Sequence, residues 1–186
     1  MTKRRRSPSE SLAGQLLLAH PALRDENFHR SVVLLSAHDA EGALGVVINR
    51  PLARRLADVS PDFALGPLAA VPVYRGGPVE PEKLILAAWR WQAPAGDFEL
   101  HFGLEVDRAE AMVAEPGVTV RAFLGYAGWG SGQLENEMRQ HTWFVAGPAD
   151  YNLGAHEGPA LWRMILGSLD PELKLLADEP DDPARN

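Results

Sequence analysis

A mixed α/β fold of the α+β kind is the class this sequence predicts, and three observations predict it. Short β-branched apolar runs outnumber amphipathic helical stretches. Hairpin-like pairs of runs come first and the clearest helical stretches come later, unlike the alternation of a regular βαβ array. The chain has 186 residues, 46% of them apolar and 23% charged, enough for one sizeable core with little left for a second.

The elements follow in order. Residues 1–11 are polar, with a basic cluster at Lys3, Arg4, Arg5 and Arg6, and are expected to form a disordered tail. Gln15–Ala19 is a short apolar run stopped by His20 and Pro21. Val32–Ser36 and Leu44–Ile48 are β-branched runs separated by turn formers around Asp39 and Gly42, which predicts a hairpin with a longer loop. Their unbroken apolar character predicts strands buried on both faces. Asn49, Arg50 and Pro51 end the second of these, and Leu52–Val59 reads as a short helix. Prolines and a glycine mark a loop over 60–72, followed by a strand at Val73 and Tyr74 and a turn over Arg75–Pro78.

Lys83–Trp89 and Phe98–Phe102 are predicted strands. Glu99 and His101 alternate with Phe98, Leu100 and Phe102, so the second shows one face to water. Asp107 with Glu110 three residues on resembles a capping box and opens a helix ended by Pro116 and Gly117. Val118–Leu124 is the next strand. A glycine-rich turn leads into a helix through Gln140, with Ser131 or Gly130 as its cap. Thr142–Ala146 is a strand, and Pro159 occupies the first turn of a helix over Ala160–Ser168. The tail over 173–186 is acidic and is expected to be a surface arm, leaving one domain over 12–172.

Composition excludes several function classes. There are no cysteines, hence no disulfides, thiolate metal sites or cysteine nucleophile. No apolar run approaches the roughly 18–20 residues of a membrane helix, and no apolar stretch follows the basic start as in a secretory signal. A cytoplasmic location is expected. Outside the basic cluster 14 basic residues face 25 acidic ones, so the body repels phosphate backbones and direct nucleic-acid binding is not expected.

The most distinctive segment is Gly125-Tyr-Ala-Gly-Trp-Gly-Ser-Gly-Gln-Leu-Glu135. Its strand–turn–helix order suggests a nucleotide loop, but Gln133 stands where a dinucleotide fingerprint needs glycine, and no Lys-Ser/Thr pair completes a P-loop. Ser131 is not a nucleophile elbow, since Trp129 and Gln133 flank it at the positions that need glycine. What remains is a tight turn whose helix start has free N–H groups. The six histidines never fall two to four residues apart, so zinc-type motifs are absent and no metal or cofactor is expected. Glu135 and Arg139 are spaced as a surface pair, and Trp129 and Trp143 are expected to pack around this helix. Arg30, Asn49, Arg50 and Arg75 flank strand ends, where arginines suit carboxylate or phosphate.

Four blocks together resemble the YqgE/AlgH family of small bacterial proteins. They are Gly14-Gln-Leu-Leu-Leu-Ala-His-Pro21 with Asp25, Phe28 and Arg30–Val33; His38 with Glu41–Pro51; Val73–Val79; and Leu124–Glu137 followed by Trp143. They lie in order within residues 14–168. The resemblance implies a bifurcated sheet rolled into a partial barrel with flanking helices, no established enzymatic activity and no known cofactor. One branch of the family is reputed to regulate exopolysaccharide synthesis, which implies indirect regulation for a chain without a helix-turn-helix. The family's common Gly-His-Ala-like ending is absent, so the resemblance does not extend to the last 20 or so residues.

The leading expectation is a non-catalytic module that binds a small anionic ligand or a protein partner. Its site is expected to gather Arg30, His38, Asn49, Arg50, Tyr126, Trp129 and Glu135. Arg30 and Arg50 would meet an anion, Tyr126 and Trp129 would wall the pocket, and His38 or Glu135 would set its polarity. One alternative is a hydrolase or transferase with His38 and Glu135 as acid and base, which requires them within one substrate's width. The other is a nucleic-acid-associated regulator acting through the basic tail.

Overall fold

The sheet is organised by one long strand. The computed structural model describes residues 11–92, 96–148, 153 and 156–178. Its strands are β1 (Leu16–Ala19), β2 (Val32–Asp39), β3 (Gly42–Val47), β4 (Pro51–Arg55), β5 (Pro72–Arg75), β6 (Val79–Gln92), β7 (Asp97–Phe102), β8 (Val118–Gly130) and β9 (Trp143–Ala146). Its helices are α1 (Leu56–Val59), α2 (Val106–Val113), α3 (Gln133–Arg139), α4 (Gly158–Leu169) and α5 (Pro171–Asp178), with a 3-10 turn at Pro61–Phe63. The basic tail expected over residues 1–11 lies outside the described residues except for Ser11.

Along its first half β8 pairs with β6 antiparallel and with β5 parallel. From Ala127 onward it pairs with β3, which leads through β2 and β1 to β9. The sheet therefore forks on β8, as the family resemblance implies. The fork is built by glycines. At Gly125, where φ is +72°, an added Cβ would stand 2.5 Å from the Gly77 carbonyl oxygen. At Gly77 it would stand 2.2 Å from backbone atoms of Tyr126. Only glycine lets the chain after β5 cross β8 this closely.

The strands of the first hairpin are buried on both faces, as expected. Leu16, Leu18, Val32, Leu34 and Val46 join one core cluster with Trp162, Ile165 and Leu166 of α4. Leu17, Val33, Leu35 and Val47 point the other way, into a cluster with Trp129, Leu134 and Trp143. Phe98, Leu100 and Phe102 of β7 pack on the same cluster as Leu16 and Leu18 of β1. Strands from the two arms of the fork thus share one core, so the mixed sheet is curled into a half barrel. A third cluster joins Leu56, Val73, Ala109, Met112 and Val120.

Several local expectations change. Residues 51–55 form β4 rather than the start of a helix, because Arg54 and Arg55 pair with Val73 and Pro72; only Leu56–Val59 is helical. The strand expected to end near Leu124 runs on to Gly130, held by β3. Glu105, not Asp107, precedes α2, and Asp107 lies in its first turn, where a carboxylate still suits the helix dipole. Neither Ser131 nor Gly130 caps α3. That position belongs to Gly132 in the left-handed region, and the Ser131 hydroxyl donates to the Ala40 carbonyl at 2.6 Å. The expected acidic arm begins inside α5, where Leu173 packs on the core and Ala177 is buried; the remainder, 179–186, lies outside the described residues.

Candidate functional site

The glycine-rich segment resolves into a clamp of side chains. Trp129 and Trp143 meet edge to face with ring centroids 5.9 Å apart. Both indole N–H groups donate to Oε2 of Glu137, at 2.9 and 2.8 Å. The other oxygen accepts from Gln133 at 3.0 Å. One carboxylate on α3 thus satisfies two nearly buried indoles, one on β8 and one on β9. Trp129 packs against Phe28 and Trp143.

His38 and Glu135 come together beside this clamp. His38 Nε2 and Glu135 Oε1 are 2.8 Å apart, and the Leu12 backbone N–H donates to His38 Nδ1 at 3.0 Å. Since an N–H donates only to a nitrogen with a lone pair, the ring proton sits on Nε2 and points at the carboxylate. The backbone N–H of Glu135 itself, then His38, hold the Glu135 carboxyl below its ordinary range. Glu135 bonds His38 rather than forming the simple surface pair with Arg139, which donates to Asn136.

Arg30, Asn49 and Arg50 form a second group. Asn49 is buried, accepts from Val32 N–H, and donates to the carbonyls of Arg30 and Gly158. It ties β2 to the start of α4. Arg30, with φ +52°, lies 5.7 Å over the Trp162 ring. Arg50 donates to the carbonyls of Glu26 and His29, and burial, then the like charge of Arg75, lower its pKa. Val32 and His38 stand at opposite ends of β2, about 20 Å apart for six strand residues. Tyr126 belongs to a third group: its hydroxyl meets Glu80, which raises its pKa, and Lys83 lies 5.7 Å over its ring. The seven expected residues therefore separate into three places.

An open cleft lies elsewhere on the fork. A cleft of about 590 Å³ runs along β4, the β5–β6 turn and the irregular start of β6. Arg54, Arg75 and Glu82 line it, with Asn27, Gly77 and Pro78. Among the described residues no carboxylate forms an ion pair with Arg54 or Arg75. Arg54 donates to the Asp58 carbonyl. Sequence reading noticed Arg75 but passed over Arg54 and Asn27, because Arg54 fell within a presumed helix. Pro51–Arg55 carries no two-residue alternation, so no local signal marked it as a strand.

Electrostatics elsewhere look structural. Arg90, His101 and Gln92 hold the Glu99 carboxyl down to about 2, linking β6 to β7. Among the described residues no group of three His, Asp or Glu side chains could hold a metal ion. No described helix is long and apolar enough to cross a membrane.

Comparison with known proteins places this architecture. A UPF0301 protein of Streptomyces coelicolor is 40% identical over 187 residues, covering 95% of this chain and 96% of its own. A UPF0301 protein of Xanthomonas campestris pv. campestris strain B100 is 41% identical over 179 residues, covering 90% and 94%. The solution structure of the AlgH protein from Pseudomonas aeruginosa superposes with a TM-score of 0.64 at 27% identity, covering 96% of this chain and 99% of that one. The crystal structure of a Corynebacterium diphtheriae protein shares the fold, with a TM-score of 0.70 at 24% identity and 95% coverage of both chains. The AlgH-like family model matches residues 16–174. By sequence, by fold and by the glycine-built fork that its motifs encode, the chain belongs to the AlgH-like family.

Proposed function

We propose that this protein is a non-catalytic binding module, acting in the cytoplasm, that takes a small anion in the cleft along β4 and the β5–β6 turn. The observation that carries this reading is that Arg54 and Arg75 line one open cleft, with neither in an ion pair among the described residues. An arginine fork suits carboxylate and phosphate oxygens. Arg50 adds positive charge behind the cleft, within Coulombic reach of Arg75. Of the seven residues first grouped as a site, none lines this cleft; Arg50 acts on it through its charge alone.

The acid–base alternative is weakened by the geometry of His38. Its two ring nitrogens are engaged by Leu12 and Glu135, leaving no lone pair for a substrate proton. Any regulatory role follows from the state of the bound ligand or a protein partner, since the acidic body disfavours nucleic acid.

Isothermal titration with inorganic phosphate and with citrate tests the reading. Saturable binding to the wild type, weakened by Arg54→Ala and by Arg75→Ala, is expected. Binding that is absent, or as tight in both variants as in the wild type, overturns it.

A further inference from the structure

The contacts of His38 make a latch on the chain that enters the sheet. Residues 11–14 lie along β2: the Ser11 hydroxyl donates to the His38 carbonyl at 2.8 Å, Leu12 N–H to His38 Nδ1 at 3.0 Å, and Gly14 N–H to the Leu35 carbonyl at 2.7 Å. The Leu12 side chain packs against the cluster containing Trp129 and Trp143. The His38 side chain is only 10% exposed, so the ring is held between this segment and α3.

We propose that protonation of His38 releases the Leu12 amide from β2, making the entry segment a pH-controlled latch. A neutral imidazole offers one donor and one acceptor, and both are used here. The imidazolium is a donor at both nitrogens. On protonation Nδ1–H faces the Leu12 N–H, and that hydrogen bond becomes a donor–donor contact. The charge is stabilised on the other side of the ring, where Glu135 faces Nε2. The ring is therefore attracted toward α3 and repelled from Leu12 by the same proton.

The surroundings favour this response. The entry segment presents Ser11 and Leu12, neither of them charged. Across the sheet His38 pairs with Ala43, which pairs with Trp129, so β3 and β8 bring no charge to the ring. On α3 the facing charge is Glu135, itself influenced by Arg139. On the hairpin Asp39 accepts from Glu41 N–H. The latch thus couples one proton to one backbone hydrogen bond, through a ring whose other contact tightens as the first is lost.

Amide exchange of the ¹⁵N-labelled full chain tests this between about pH 8 and pH 5, the range in which imidazole titrates. Exchange of Leu12 is read against its intrinsic rate at each pH, with Val33 as a core control. Leu12 protection is expected to fall roughly five- to tenfold as the His38 ring signals titrate, the loss of one hydrogen bond, while Val33 stays protected. His38→Asn places a non-titrating carbonyl oxygen near the position of Nδ1, and should keep Leu12 protected throughout. Glu135→Gln removes the charge facing the imidazolium and should move the midpoint to lower pH. Constant Leu12 protection while His38 titrates overturns the proposal. So does a His38 ring that stays neutral across the range, or an unmoved midpoint in Glu135→Gln.

Discussion

The two ends of β8 differ in how their polar groups are used. At the C-terminal end Trp129, Trp143 and Gln133 converge on Glu137, and His38 spends both nitrogens on Leu12 and Glu135. Beside the fork Arg54 and Arg75 line an open cleft with Glu82, and among the described residues neither arginine forms an ion pair. The first region holds the more distinctive residues, yet its polar groups are committed to one another. The second is built from ordinary arginines on a strand and a turn, yet its charges face space. A conspicuous motif can therefore mark a packing solution, while binding capacity sits where hydrogen-bonding groups remain available.

Variants in the two regions should separate stability from binding. The largest effect is expected at the fork between them. Gly125→Ala adds left-handed strain of about 1–2 kcal/mol and overpacking of about 1–3 kcal/mol, and should lower the stability measured by urea unfolding by about 2–5 kcal/mol. Next, Glu137→Ala leaves two nearly buried indole N–H groups without their acceptor, at about 1–3 kcal/mol each when fully desolvated. A loss of about 2–4 kcal/mol is expected, with anion affinity retained in the folded fraction. If Glu137→Ala is as stable as the wild type, the clamp is not the structural element described.

In the cleft the pattern should reverse. Arg75→Ala should weaken phosphate or citrate binding by roughly ten- to a hundredfold, the worth of one charge-assisted hydrogen bond, without moving the melting temperature. A variant that binds normally but melts early would place Arg75 with the structural groups and erase the contrast.

The smallest effect concerns pH. Glu99 titrates near 2 in the folded chain, through Arg90 first and then His101 and Gln92, against 4.5 as its ordinary value. A depressed carboxyl stabilises the fold above its unfolded pKa, and that contribution is lost as pH falls from about 4.5 toward 2. Carboxyl-carbon NMR should show the low midpoint, and Arg90→Ala should return it toward the ordinary range. Because the group is exposed, the change in stability should be small.

Sequence reading went furthest where the physical rule is local or periodic. The apolar runs at Val32–Ser36 and Leu44–Ile48 give strands β2 and β3, with residues buried on both faces, and Pro159 opens α4 as its position suggests. It failed where partners are distant in the chain. Residues 51–55 follow β5 rather than their own helical preference. The helix start at Ser131 looks like a cap, but its hydroxyl is taken by Ala40 from the hairpin. The His38–Glu135 contact spans 97 residues; those two were named as a pair from chemistry alone, while nothing in the spacing shows that Leu12 occupies the other nitrogen.

Composition and pattern by themselves determined the mixed class, the strand-rich first half and the family. They act through burial and backbone preference, which each residue carries with it. Only the tertiary structure decided which polar groups are consumed and which remain open. Hydrogen bonds and ion pairs depend on distance and angle between residues far apart in sequence, and the fork at Gly77 and Gly125 is what sets those distances.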